Sequence, residues 1–234
     1  MEKIPTGNQK VKFRKNFYEK TAWKSKMVVC GIDEVGRGCL AGPVVTGAVI
    51  LPIGSTYRRL KDSKAMTAKE RELAYNWIIK NCWYSTGIVS NQTVDRHNIW
   101  QATLIAMKKA ALQLLVTCPY RPSALLIDAM PLKLNDTNYK NIPIHHFYKG
   151  ESKSASIAAA SIVAKVTRDR LMQAFDPIFP GYYLSNHKGY STKKHKAAIS
   201  SLGPTIIHRS SFLGKIDKGE PSEQSGQRSI FGDH

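Results

Sequence analysis

Residues 27–51 read MVVCGIDEVGRGCLAGPVVTGAVIL. Two apolar runs rich in β-branched residues, MVVCGID and VVTGAVIL (Val44 to Leu51), flank a glycine-rich connection, GRGCLAGP, and so predict strand, turn, strand. The first run ends on Asp33 and Glu34. A carboxylate inside an apolar segment is costly, and carboxylates at the carboxyl ends of buried strands commonly face the functional crevice of an α/β sheet. The competing assignment is a cap for the following turn, which Asp fills well. Spacing alone leaves both open.

Downstream, Thr67 with Glu70 three residues later forms a capping-box signal for a helix over AKERELAYNWIIK, and CWYSTGIVS predicts a third strand. Ile99, Leu104, Met107, Ala111 and Leu115 recur at helical spacing and predict a helix from Asp95 to Val116. ALLID (Ala124 to Asp128) predicts a buried strand ending on a carboxylate, and IHHFY a further one. Ser154 to Phe175, rich in Ala, and Thr192 to Leu202 predict two more helices. Strands first, then strands alternating with helices, specify an α/β domain with a mixed sheet.

Residues 1–26 carry eight Lys or Arg against Glu2 and Glu19, with Phe13, Phe17, Tyr18 and Trp23 interleaved, and are expected to form a basic arm. The domain is expected over 27–214. Residues 215–234, dominated by Gly, Glu, Ser, Gln and Lys, are expected to be a disordered tail.

The 234 residues hold 35 Lys or Arg and 17 Asp or Glu, a formal charge of +18. Such a surplus attracts polyanions, and nucleic acid is the expected partner because each neutralised phosphate releases a counterion. A hydrophobic fraction of 42% excludes disorder throughout. The longest charge-free run, Gly38 to Tyr57, is broken by Gly42, Pro43, Gly47, Pro52 and Gly54, so no membrane span is expected. The opening residues lack an apolar stretch of the secretory kind. Cys30, Cys39, Cys82 and Cys118 stand singly, which predicts reduced thiols, disfavours zinc and points to the cytoplasm.

In the Ser154–Phe175 helix, Ile162 and Val166 form a stripe, and Asp169 follows three residues on, which aims it near the core-facing side. The alternative is a surface pair with Lys165 at i, i+4. Were Asp33, Glu34, Asp128 and Asp169 to converge, their repulsion would need a cation or shared protons. All-oxygen ligation suits Mg²⁺ or Mn²⁺, and in a basic protein this suggests metal-assisted phosphodiester hydrolysis.

GIDEVGRGCLAGPVVTGAVIL, DSK (Asp62 to Lys64), LLID, KGESKSASIAAASIVAKVTRDRLM, HKGYSTKKH and GPTIIHRSSF, in this order, resemble bacterial ribonuclease HII. The resemblance implies a ribonuclease H-like fold, a mixed five-stranded sheet flanked by helices with a C-terminal helical segment. It implies hydrolysis of the RNA strand of RNA–DNA hybrids, and nicking 5′ of single ribonucleotides in duplex DNA to leave 3′-hydroxyl and 5′-phosphate ends. Asp33, Glu34 and Asp128 fall on the family's metal-ligand positions, and Asp169 is matched to the fourth carboxylate. Gly36, Arg37 and Gly38 match the motif that grips the ribose 2′-hydroxyl, Tyr190 the tyrosine set against the junction nucleotide, and Ser63, Lys64 and Lys149 positions near substrate phosphates. Cys39, Ser191 and Ala129–Met130 depart from the Pro, Pro and Gly-Asn that many relatives carry. The tail's QRSIFGDH lacks the paired aromatics of a sliding-clamp peptide, so clamp binding is not expected. Nothing demands more than a monomer.

Overall fold

The computed structural model describes residues 16–55, 57, 60 and 63–214. Most of the expected basic arm, the whole tail with its clamp-like peptide, and Asp62 lie outside the described residues.

Five strands form one mixed sheet in the order β3-β2-β1-β4-β5. They are β1 (Cys30–Val35), β2 (Val44–Ile50), β3 (Trp83–Val89), β4 (Leu125–Asp128) and β5 (Ile144–Phe147). β1, β2 and β3 are antiparallel neighbours, whereas β1 and β4 run parallel, as do β4 and β5. The β1–β4 register pairs Ile32 with Ile127, which makes Asp33 and Asp128 the next residues along two adjacent strands. Side chains alternate across a sheet, so the register that buries Cys30, Ile32, Leu125 and Ile127 on one face sends Asp33 and Asp128 to the other.

The helices are α1 (Phe17–Lys24), α2 (Ala68–Asn81), α3 (Asn91–Thr117), α4 (Ala155–Phe175), α5 (Leu184–His187), α6 (Lys193–Leu202) and α7 (Ser210–Leu213). α2 carries the expected capping box between Thr67 and Glu70. α3 starts four residues earlier than its apolar spacing predicts, because Ser90 caps it by accepting from Thr93 N–H. It kinks at Asn98 (φ 64°, ψ 166°), whose side chain accepts from Gln101 N–H at 3.0 Å and caps the second segment. α1 falls within the expected basic arm, whose interleaved aromatics suit a docked segment. Over Phe17–Lys24 the expected arm is a helix docked on the domain, with Tyr18 and Ala22 buried against Val29, Leu126 and Ile157. Its fully buried Glu19 accepts from Ser154 Oγ at 2.5 Å and Ser156 N–H at 2.9 Å, closing the amino end of α4.

α3 packs on the face carrying Cys30, Ile32 and Leu125, and α4 on the opposite one. The second contact is close because glycine faces alanine. A Cβ on Gly31 would stand 2.1 Å from the Ser156 carbonyl carbon, and one on Gly47 would stand 2.3 Å from Ala160 O. Backbone lies on backbone, which fixes the height of α4 over the sheet and of everything that β1 and α4 carry. Among the described residues no helix is long and apolar enough to cross a membrane.

Gly31→Ala is therefore expected to destabilise the protein by more than the ~1–3 kcal/mol typical of an overpacked core, since the clash is with backbone. Urea unfolding measures it, and an unchanged midpoint would mean that α4 rides free of β1.

Candidate active site

At the carboxyl ends of β1 and β4 the sheet opens into a cleft. Asp33, Glu34 and Asp128 line its floor, Gly36, Arg37 and Gly38 one wall, and Lys165 and Tyr190 another; Ser63, Ser161, Lys149 and Glu151 complete it. Three of the four expected carboxylates are thus together.

Asp33 is buried. It accepts from Glu34 N–H at 2.8 Å and from the Ser161 side chain, whose hydroxyl lies 2.7 Å from that of Ser63. Burial, then the charges of Glu34 and Asp128, push its pKa well above the ordinary carboxylate value. Glu34 is raised by burial and by Asp128, against Arg37, whose guanidinium is 3.4 Å from Oε1. Its Oε2 is buried without a hydrogen-bond partner among the described residues. Asp128 accepts from Gly150 N–H at 2.9 Å. It is followed by Ala129 at φ 55°, a left-handed conformation in which the glycine of relatives carries no strain.

Mutually repelling carboxylates with raised pKa values, one with a buried oxygen that lacks a partner among the described residues, are the donor chemistry that a hard divalent cation relieves. Among the described residues no three His, Cys, Asp or Glu side chains are yet gathered closely enough to hold an ion. The all-oxygen donor set of Asp33, Glu34 and Asp128 is of the kind that a hard divalent cation takes.

Asp169 is the correction. It does not line the cleft; it accepts from Lys165 Nζ at 2.8 Å, the i, i+4 pair that was the alternative. Ser161, Lys165 and Asp169 follow one another at intervals of four along α4, and each step carries the stripe about 6 Å farther along the helix from the turn that meets Asp33. Glu151, which spacing did not single out, lines the cleft instead. It stands in a 3-10 turn, Gly150–Ser152, where no helical or strand period exists to aim it. The only sequence signal was its position inside KGES, beside the lysine already matched to the substrate.

The GRG motif divides in two. Gly36 (φ 96°) leaves room for Arg168, whose Nε would lie 2.3 Å from a Cβ there; Gly38 has nothing within 4 Å of one. Gly36 is thus required by the fold and Gly38 is open to the cleft. Arg168 and Arg209, both fully buried, went unnoticed in the sequence beside the more conspicuous Asp169 and the loop around His208. Arg168 donates to the carbonyls of Pro43, Ala41 and Lys188, and Arg209 to those of Gly42 and Arg37. Together they hold the loop of the GRG motif.

Tyr190, exposed on the wall, has Lys165 and Arg168 over its ring at 5.5 and 5.7 Å. Burial and the nearby Cys39 push its hydroxyl to about 12, so it stays a donor at neutral pH. Lys149 is exposed, with a left-handed backbone. Ser63 lines the cleft but is buried, and its hydroxyl is engaged by Ser161, which places it behind Asp33 as a support. The Lys64 side chain lies outside the described residues. All four cysteines are free.

The family profile described as Ribonuclease HII matches residues 30–215. Ribonuclease HII of Enterococcus faecalis is 47% identical over 197 residues, covering 83% of this chain and 73% of that protein. Ribonuclease HII of Geobacter metallireducens is 48% identical over 188 residues, covering 80% and 84%. Among solved structures, ribonuclease H2 from Pyrococcus horikoshii superimposes with a TM-score of 0.65 at 24% identity, covering 82% of this chain and 98% of that one. Bst-RNase HIII in complex with Mn²⁺ gives 0.61 at 20% identity, covering 86% and 73%. At those identities the structures speak to the fold alone.

The raised pKa of Asp33 has a consequence for stability. Its folded-state pKa lies above its unfolded one, so the stability that Asp33 contributes in the metal-free protein is fully present below about pH 4 and is lost as pH rises toward the raised value. In chelator at pH 8, Asp33→Asn is expected to gain about 1 kcal/mol or more, about 2–4 °C in melting temperature, and to gain nothing near pH 4. A lower melting temperature at pH 8 would make Asp33 a structural cap.

Proposed function

The chain belongs to the ribonuclease HII family, and on that premise we propose that it nicks duplex DNA on the 5′ side of a single embedded ribonucleotide, leaving 3′-hydroxyl and 5′-phosphate ends. As a family member it is a divalent-metal-dependent endoribonuclease that hydrolyses the RNA strand of RNA–DNA hybrids. The observation that carries the finer reading is one cleft lined by three carboxylates, of which Asp33 is buried and Glu34 and Asp128 are half-buried, together with the glycine motif and an exposed tyrosine.

Asp33, Glu34 and Asp128 would hold the cation, and Glu151, which lines the same cleft, would take the fourth place in preference to Asp169. Mg²⁺ or Mn²⁺, when bound there, neutralises the phosphate and lowers the pKa of a water molecule. Ser161, backed by Ser63, holds Asp33 in its rotamer. Arg37 balances Glu34 before substrate arrives. Gly38, with no Cβ and empty space beside it, lets the backbone approach a sugar, and the 2′-hydroxyl is the group that separates RNA from DNA there. Tyr190 packs against that nucleotide. Lys149 and Lys165 position the phosphates without specifying sequence. Asp169 keeps Lys165 extended along α4. The cytoplasm is the compartment that this reading implies.

The test is an end-labelled duplex with one ribonucleotide, incubated with Mg²⁺ or Mn²⁺ beside an all-DNA control. A single 5′ nick, lost in chelator and absent from the control, is expected; equal cutting of the control would overturn the ribose selectivity. On the same substrate Glu151→Gln is expected to lose at least about 10²-fold in turnover, the scale of a lost electrostatic contact in a reaction centre. Asp169→Asn should stay within about tenfold, and the reverse ranking would restore Asp169 as the fourth carboxylate. Gly38→Ala should leave the melting temperature unchanged and raise KM.

A further inference from the structure

Tyr190 sits at an unusual junction. Residues 39–41 form isolated antiparallel bridges on both sides, Cys39 with Tyr190 and Ala41 with His208. The loop of the glycine motif is therefore the middle of three extended segments, with the Tyr190 segment on one flank and the His208 segment on the other. Leu40 N–H donates to Gly189 O at 2.9 Å, and Arg209 N–H donates to Leu40 O at 2.8 Å. The two flanks are joined beneath the loop by imidazoles.

His195, at the start of α6, is fully buried, and His208 nearly so. Their Nε2 atoms are 3.2 Å apart. At one end of the pair, Thr205 N–H donates to His208 Nδ1 at 2.9 Å, which leaves the His208 proton on Nε2. At the other, His195 Nδ1 is 2.9 Å from Tyr190 O; a carbonyl only accepts, so the His195 proton is on Nδ1. The two ends independently require one direction: Thr205 N–H to His208, His208 Nε2–H to His195 Nε2, His195 Nδ1–H to the Tyr190 carbonyl. A second proton on either ring would set N–H against N–H. The His187 ring stacks on His195 at 4.2 Å, donates from Nε2 to Tyr182 O and accepts Gly189 N–H at Nδ1.

We propose that His208 and His195 are positioning residues for the nuclease reaction, a relay of two neutral imidazoles that fixes the Tyr190 main chain and thereby presents its ring to the substrate nucleotide. The inference rests on the role given to Tyr190 under Proposed function. The surroundings suit neutral rings: burial lowers the pKa of all three histidines, that of His195 to about 4.

Steady-state kinetics on the single-ribonucleotide duplex test it. Tyr190→Ala is expected to raise KM about tenfold with a smaller effect on kcat, the scale of one lost aromatic stack. His195→Ala should reproduce most of that rise and add nothing in the Tyr190→Ala background. His195→Asn, whose amide can still donate to the Tyr190 carbonyl, should recover to within about twofold of the parent. Impaired Tyr190→Ala beside an unaffected His195→Ala overturns the relay alone, as does His195→Asn failing as badly as His195→Ala. Unaffected Tyr190→Ala overturns the reading of Tyr190 and this inference with it. Should His195→Ala not fold, the ¹⁵N shifts of the parent protein decide: His195 protonated at Nδ1 and His208 at Nε2 support the relay, and any other tautomer pair or a cation at pH 7.5 overturns it.

Discussion

Two guanidinium groups without carboxylate partners hold the cleft together. Arg168 and Arg209 are fully buried, and among the described residues neither forms a salt bridge; each spends its planar donors on main-chain carbonyls of the loop between β1 and β2. That loop is short of regular hydrogen-bond partners, and a buried carbonyl left unpaired costs as much as a lost hydrogen bond. Arginine satisfies several at once because its donors form a rigid fork, which lysine lacks. Burial of Arg209 lowers its pKa only to about 10, so it keeps its charge at neutral pH. Through Lys188 O, Arg168 also ties in the segment leading to Tyr190. The glycine wall and the tyrosine wall thus share one fastening.

That fastening works only if α4 lies at a fixed height, and the height is set by what is missing from the side chains. Gly31 and Gly47 let the alanine-rich face of α4 rest on the strands. Ser161 then reaches Asp33, and Arg168, seven residues on, reaches the loop at Pro43 and Ala41. The same helix supports the carboxylates at one turn and the wall of the glycine motif two turns later. Its amino end is closed by Glu19 of α1, so a segment ahead of the first strand is tied into the frame of the site.

The placement of Asp33, Glu34 and Asp128 was legible because strand ends carry their own signal: an apolar run that stops on a carboxylate tells where the sheet ends and its crevice begins. Helix α4 was equally legible as an element, yet its Asp169 was not legible as a site residue. One helical stripe passes through Ser161, Lys165 and Asp169, and spacing says which residues share it without saying which turn stands over the strand ends. Glu151 was hidden for the opposite reason, since a 3-10 turn offers no period at all. Helix α1 was hidden by its charge: its apolar positions are few, and its burial depends on Val29, Leu126 and Ile157, which the chain supplies later.

By itself, then, the sequence determined the five strands, the helices α2, α3, α4 and α6, the mixed sheet, the carboxylates at two strand ends and the family to which they belong, because each is written in local periodicity or a contiguous motif. Only the tertiary structure decided which acid faces the cleft, that Gly36 serves the fold while Gly38 serves the cleft, and that two arginines and a pair of histidines hold the walls. Those assignments depend on contacts between residues 13 to 172 positions apart, and no local pattern encodes a distance across the fold.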